Sequence, residues 1–544
     1  MIHRLIQVAS IMLFAGTCLL AHQKPARAGE SAPPKTASLD ETQRIVHFLN
    51  RFTLGATPAL VSEVKAQGMK AWLEEQFKAK AVEPQYLRDR LGEMGSLELS
   101  ASQIEENYII RVGKDAPVKE RKEAQALENI PPRELSDSII YRGVYSTNQV
   151  REMSADFFRN HFAVSLEKGP VKLLAVEYER TVIRANVLGS FAKMLEASAH
   201  HPAMLFYLDN CLSCRPATPE ELEFIKRRGK NDPERIEQAQ QRGLNENYAR
   251  ELLELHTLGV DNYYTQADVI EVAKCLTGWG IAPKQAAKPF VFWFRRDFHC
   301  SGDKTVLGKT IKGNPEKPQA EGEEVLTMLA AHEGTARFIA WKLCRWLVND
   351  EPSEAMVKRI AAVFAAKQGD LPAVYLAIFD DPEFFAYANF QSKYKRPFEF
   401  LVSALRSTGA VVDDTLELHK ALQNMSEPLY RCANPTGYYD HAEAWQDPGA
   451  MSLRWKFALD LANGKIRGAR VPQTLYDGLD ADKPASWKAV LASRILCVPL
   501  SDATSRALDA FVERHVKENG KAKIKDLGPE LVAGLLGSPE FQKQ

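Results

Sequence analysis

Residues 134–208 read ELSDSIIYRGVYSTNQVREMSADFFRNHFAVSLEKGPVKLLAVEYERTVIRANVLGSFAKMLEASAHHPAMLFYL, and their apolar residues return every three or four positions, as in Phe157-Phe158-Phe162 and Leu188-Phe191-Leu195. Residues three and four apart share one face of a helix, so this period is the helical one. The same signal extends upstream. Thr57-Pro58 pairs an N-cap with a first-turn proline and opens a helix carrying Leu60, Val61 and Val64 that stops at Gly68; a second helix follows with Trp72, Leu73 and Phe77. Downstream, Phe290-Val291-Phe292-Trp293-Phe294 and Thr305 to Ile311 are rich in aromatic and β-branched residues and flank a turn-prone stretch. Helical rhythm resumes at Glu323. The expected fold is mainly α: one large multi-helix domain with a single small β-hairpin near 290–311.

The 544 residues balance 70 Lys+Arg against 70 Asp+Glu, with 45% hydrophobic and 26% charged residues. Such a composition excludes collagenous and wholly disordered chains, and zero net charge gives no long-range field to steer nucleic acid. The chain starts with His3 and Arg4, an apolar run from Leu5 to Leu20, and the small-x-small triplet Ala26-Arg27-Ala28. This pattern predicts a signal peptide over 1–28 and a periplasmic or secreted product. A disordered linker is expected over 29–41, and a single helical domain over 42–544 with a charged insertion at about 211–244. No later apolar run is long enough for a transmembrane segment.

Of eight cysteines, seven lie beyond residue 28. Cys211 and Cys214 form the one close pair; a local disulfide is the first reading and a zinc half-site the second. Cys275 and Cys344 fall in helical patterns and read as core.

The helix Asn245 to Gly259 carries the densest polar chemistry. At 100° per residue, Asn247, Arg250, Glu251, Glu254 and Leu258 form one stripe, with His256 on the opposite, apolar side. In one reading the stripe is solvated, Arg250 pairs with Glu254 and His256 is a core residue. In the other the helix is enclosed, Glu251 and Glu254 are catalytic carboxylates with Arg250 as an electrostatic clamp, and Asn247 and His256 bind. Thr265 with Asp268 reads as a capping box. Asn160-His161, His201 before Pro202, and the turn holding His299, Cys300, Asp303 and Lys304 are further binding candidates, each with a plain core or joint reading beside it. A divalent metal is conceivable, but no contiguous His/carboxylate spacing selects one. Phosphate-cradling loops, dinucleotide fingerprints and Gly-x-Ser-x-Gly elbows are absent.

Several stretches together resemble a bacterial exported family catalogued as domain of unknown function 1800. They are His47 to Pro58, Asn160-His161-Phe162, Leu188-Gly189 through His201-Pro202 to Asn210, the Asn245 to Gly259 helix, and Tyr264-Thr265-Gln266 to Thr277-Gly278-Trp279. His299 with Gly302 and Lys304, Lys395 to Phe400, Gly437-Tyr438 with Trp445, and Ser538 to Phe541 also fit. The resemblance implies export, a single long helical domain, and a gene neighbourhood shared with an exported family related to alkaline phosphatases and sulfatases. The family has His-Asp where this chain has His299-Cys300. Two functions are carried forward: an exported hydrolase acting on an extracellular polymer or glycan through a Glu/His site, and a non-enzymatic envelope scaffold or escort for a co-exported alkaline-phosphatase- or sulfatase-like protein.

Overall fold

Asp40 opens helix α1 (Glu41–Phe52) as half of a capping box: its carboxylate accepts the Gln43 N–H at 2.8 Å while the Gln43 side chain accepts the Asp40 N–H at 3.0 Å. Two donors that a helix start leaves unpaired are satisfied this way. The computed structural model describes residues 38–78, 81–228, 233–240, 242–520 and 523–544. The expected signal peptide and the linker as far as residue 37 lie outside them, and the first helix begins at the last residue of the expected linker. Thr57 caps the next helix, accepting from the Leu60 N–H at 3.3 Å, and Gly68 ends it at φ 87°. A further helix, Met69–Lys78, buries Trp72 and Leu73.

The centre is helix on helix. Helix α2 (Ile130–Tyr145) leads to α3 (Gln149–His161), which is buried on nearly every side, including Glu152, Asp156 and Arg159. The Asn245 to Gly259 segment begins as α4 (Asn247–Glu251) and continues as a π-helical turn, Leu252–Thr257. Then come α5 (Glu333–Leu347), packed along α6 (Glu354–Ala366), α7 (Pro397–Ser407), packed on α2, and α8 (Pro448–Ala462), packed along α9 (Ile524–Leu536). One continuous apolar core runs through these elements, with a small satellite of Tyr394, Trp445 and Met451. Cys275 and Cys344 are fully buried in the main core. The charged insertion carries two short helices, Pro219–Arg228 and Pro233–Gln240. Among the described residues no helix is long and apolar enough to cross a membrane.

The fold is mainly α, as the apolar period predicts, with three small two-stranded antiparallel sheets among the described residues. A hairpin does lie within 290–311, but the two apolar runs do not pair with each other. Strand β2 (Phe292–Phe294) pairs back to β1 (Trp279–Ile281), whereas β3 (Lys304–Val306) and β4 (Lys309–Ile311) form their own hairpin. The reason is local: Leu307 and Gly308 both have positive φ, 50° and 74°, the two-residue turn whose twist matches antiparallel strands. The third pair, β5 (Val411–Val412) with β6 (Ala469–Arg470), has no sequence signal.

Candidate functional site

The helical wheel drawn for Asn245 to Gly259 fails past Glu251, because the π turn inserts an extra residue. The Leu258 N–H reaches Leu253 O at 2.8 Å, five residues back, and Leu258 is buried instead of continuing the polar stripe. Arg250 donates to Gln266 Oε1 at 2.7 Å and lies 3.4 Å from both Glu246 and Glu254. Glu254 is thus tied into a surface-side pairing. Glu251 is half-buried and receives no hydrogen bond from the described residues; burial, reinforced by the charge of Glu254, raises its carboxyl above the usual range. Asn247 donates to Leu208 O at 3.3 Å, a structural tie.

The histidines fall in separate places. His161 Nε2 donates to His256 O at 3.3 Å and His161 Nδ1 accepts from Lys342 Nζ at 3.1 Å. Burial brings Lys342 down to about 8 and holds His161 well below the ordinary histidine value. His256 is buried, lowered to about 3 by burial, with Nε2 unpartnered. His201 caps a short helix by accepting the Ala203 N–H at 3.1 Å, and burial lowers it to about 3. His299 joins a buried set in the 299–304 turn: Nδ1 lies 2.8 Å from Thr277 O, Nε2 lies 3.1 Å from Glu321 Oε2, and the same Glu321 oxygen takes the Lys304 ammonium. Among the described residues no group of three or more His, Cys, Asp or Glu could hold a metal ion. Cys211 and Cys214 stand as free thiols, not as the expected local bridge; the turn that carries Cys211 ends at Ser213, which is extended.

What the chain does assemble is a buried ionic network that the sequence reading did not assign. Arg396, at the start of α7, clamps Asp156 of α3 and Glu427. Glu427 also accepts the Phe398 N–H at 2.8 Å. Arg159 bridges Asp156 at 3.3 Å and Glu179 at 2.8 Å, and Tyr430 donates to Glu179 at 2.6 Å. Asp156, Arg396 and Glu427 are no more than 5% exposed. Burial raises Asp156 and pushes Glu427 up to about 7, with Arg396 pulling against it. The network borders a cavity of about 30 Å³ lined also by Asn160, Cys432 and Tyr438, room for one water. Asn160 clasps the backbone of Tyr438 on both sides, donating to its carbonyl at 2.8 Å and accepting its N–H at 2.6 Å. Of the sequence candidates, Asn160 therefore reaches this centre, whereas Glu254, Arg250, His201, His299 and Lys304 are placed elsewhere. A signal was present: Glu152, Asp156 and Arg159 make an i, i+4, i+7 charged stripe on a helix that also carries Val150, Met153, Ala155, Phe157 and Phe158.

On the far side of the 427–447 strap lies a cleft of about 820 Å³. Trp341 and Arg345 of α5 form one wall, Asp350, Glu351 and Pro352 an end, and His441 to Asp447 the other wall. Arg345 is ion-paired with Asp440 at 3.1 Å, Asp350 binds Lys393 at 2.5 Å and accepts the Ala442 N–H at 2.8 Å, and Asp447 caps α8. Glu351 and Glu443 make no ion pair among the described residues and are exposed. Tyr439, 63% exposed, stands against His441 with ring centroids 5.3 Å apart.

The family model described as protein of unknown function (DUF1800) matches residues 47–543, and the chain belongs to that family. No curated protein and no solved structure matches it.

Proposed function

We propose that this family member is an exported protein that holds a segment of a hydroxyl-rich polymer, a glycan strand, in the cleft between Trp341 and His441. The observation that carries this reading is the lining. The Trp341 indole and the His441 imidazole, which stands edge-on to Tyr439, put two rings on the lining, and the Glu351 and Glu443 carboxylates offer acceptors to hydroxyls. A concave site of several hundred cubic ångströms toward which polar groups converge is a form that binding sites take. Export is supported by the basic-apolar start and the Ala26-Arg27-Ala28 triplet.

The test is affinity electrophoresis of the mature chain through gels containing neutral or acidic polysaccharides. Retardation that Trp341→Ala weakens at least about tenfold supports the reading, since one stacked aromatic anchor is worth roughly 1.5 kcal/mol or more. No retardation in any polysaccharide, or equal retardation of the variant, refutes it.

Hydrolysis of a glycan is a second reading, at a place separate from the cleft, which Glu251 does not line, and one observation favours it: Glu251 is a half-buried carboxyl, raised above its ordinary range, with no hydrogen-bond donor among the described residues. Glu251→Gln should then abolish any glycan cleavage while leaving binding intact.

A further inference from the structure

The 427–447 strap is pinned at its start to the buried network and at its end to the cleft. Tyr430 O accepts the Leu166 N–H at 2.8 Å, Asn160 clasps Tyr438, and Tyr438 Oη donates to Pro428 O at 2.6 Å. Beyond that point Lys393 Nζ donates to Asp440 O at 2.7 Å and Asp350 holds Ala442. Three strap-side positions, Ser426, Tyr430 and Gly437, have φ between 57° and 74°, conformations that non-glycine residues keep only when surrounding contacts impose them. The strap's geometry therefore depends on its anchors.

The first anchor is electrostatically overfilled. Four buried carboxylates, Glu152, Asp156, Glu179 and Glu427, sit on three guanidiniums, Arg159, Arg184 and Arg396. Glu152 takes Arg184, Glu179 takes Arg159 and the Tyr430 hydroxyl, and Arg142 adds its charge beside Glu152 and Glu179 but not beside Glu427, so the surplus falls on the Asp156–Arg396–Glu427 triplet. The other ionisable groups that face Glu427 do not cancel it. Glu399 of α7 and Arg454 of α8 add one charge of each sign, and Cys432 and Tyr438 of the strap are acids. Burying an unbalanced charge is costly, and two carboxylates sharing one counter-ion relieve it by keeping a proton.

We propose that Asp156 and Glu427 share one proton across Arg396, and that its loss releases the 427–447 strap and with it one wall of the cleft. The device is a proton-operated latch, and it stands whether or not the cleft takes a glycan. Its direction follows from linkage. A carboxyl whose proton is held more tightly in the fold, here to about pH 7, stabilises its surroundings below that value. The contribution declines as pH rises from the ordinary carboxylate range through neutrality. The small cavity beside Glu427, Asn160 and Tyr438 has room for one water to carry the departing proton.

Hydrogen exchange of the full mature chain, followed by mass spectrometry between pH 5.5 and 8.5 and corrected for the intrinsic rate, reads the latch directly. Peptides over 430–447 should lose at least about tenfold protection on passing neutrality while peptides of α5 do not, a change equal to 1.4 kcal/mol. Glu427→Gln, an isostere of the protonated acid that still accepts from Phe398, should keep the strap protected across the whole range. A flat wild-type profile, a step shared by α5, or a step that persists in Glu427→Gln overturns the proposal. Infrared difference spectra of the wild type between pH 6 and 8 decide the matter should the variant fold poorly. Loss of a protonated-carboxyl band supports the shared proton, and its absence refutes it.

Discussion

Replacing Arg396 with Met asks whether the buried network is held by its charges or merely tolerates them. Methionine keeps an unbranched apolar stem against the Trp346 ring, over which the guanidinium sits at 4.5 Å, and removes the charge. Arg159, which Glu179 already occupies, is then the one arginine still paired with Asp156, and Arg454 faces Glu427 without an ion pair to it. Removing one partner of a buried ion pair costs about 3–5 kcal/mol, because the remaining charge is uncompensated. At about 2.1 cal/mol/K per residue, a cooperative unit of roughly 500 residues shifts about 1 °C per kcal/mol, so the melting point should fall by about 3–5 °C at pH 8. The loss must shrink at pH 5. Both carboxyls are already raised by burial, and without Arg396 they rise further, so acid neutralises what the mutation exposed. Thermal unfolding at the two pH values, beside Arg337→Met at an exposed pair with Glu354, supplies the comparison. The triple variant Arg396→Met, Asp156→Asn, Glu427→Gln should recover most of the stability, since it buries no net charge. An Arg396→Met loss no larger than that of Arg337→Met, or one identical at pH 5 and pH 8, refutes the reasoning.

Other expectations follow from single sites. Gly437→Ala places a Cβ 2.4 Å from Asn160 O and 2.5 Å from Asn160 Oδ1 at φ 74°, so it should destabilise by about 1–3 kcal/mol, and pairing it with Asn160→Ala should not restore wild-type stability because the backbone clash and the φ remain; differential scanning calorimetry measures both. Glu251→Gln should melt at or above the wild type at pH 8, since a carboxyl raised by burial lowers stability as pH climbs past the ordinary carboxylate range and the amide does not titrate; a loss at pH 8 would contradict this. Alkylation of the denatured, unreduced mature chain should add a label to every one of Cys211, Cys214, Cys275, Cys300, Cys344, Cys432 and Cys497, and an intact-mass shortfall of two labels would restore the local bridge.

What the sequence disclosed was what neighbouring residues decide. Thr265 and Asp268 form the capping box their spacing predicts, and Thr57-Pro58 and Gly68 bound their helix, because caps act within one turn. The strand pairing was hidden because β2 turns back to Trp279–Ile281, and which partner a strand takes depends on the intervening turn. The π turn at Leu252–Thr257 was invisible to a 100° wheel, which carried Leu258 to the wrong side and left Glu254 outside any enclosed pocket. The ionic centre was harder still. Glu152, Asp156 and Arg159 would ordinarily mark a solvated face; their partners Arg184, Arg396 and Glu179 arrive from elements 32, 240 and 20 residues away.

The residues that carry the family resemblance do closing work in this fold. Asn160 holds Tyr438 across 278 positions, Arg396 of the Lys395 to Phe400 stretch holds Asp156 across 240, and Gly437 is small where Asn160 presses on it. These contacts frame the strap but do not line the cleft, whose Trp341, Glu351, His441 and Glu443 lie outside the matching stretches. Resemblance in the motifs therefore transfers the frame and leaves the ligand open. The separation is measurable. Glu351→Gln with Glu443→Gln changes two exposed cleft carboxylates that hold no ion pair, so the melting point should stay within about 1 °C, because surface changes away from packing rarely exceed about 0.5 kcal/mol. Polysaccharide retardation should nevertheless weaken, because the acceptors facing sugar hydroxyls are altered. Unchanged retardation beside an unchanged melting point would show that the cleft carboxylates do not touch the ligand, and would move the search for the binding surface to the half-buried Glu251 and its surroundings.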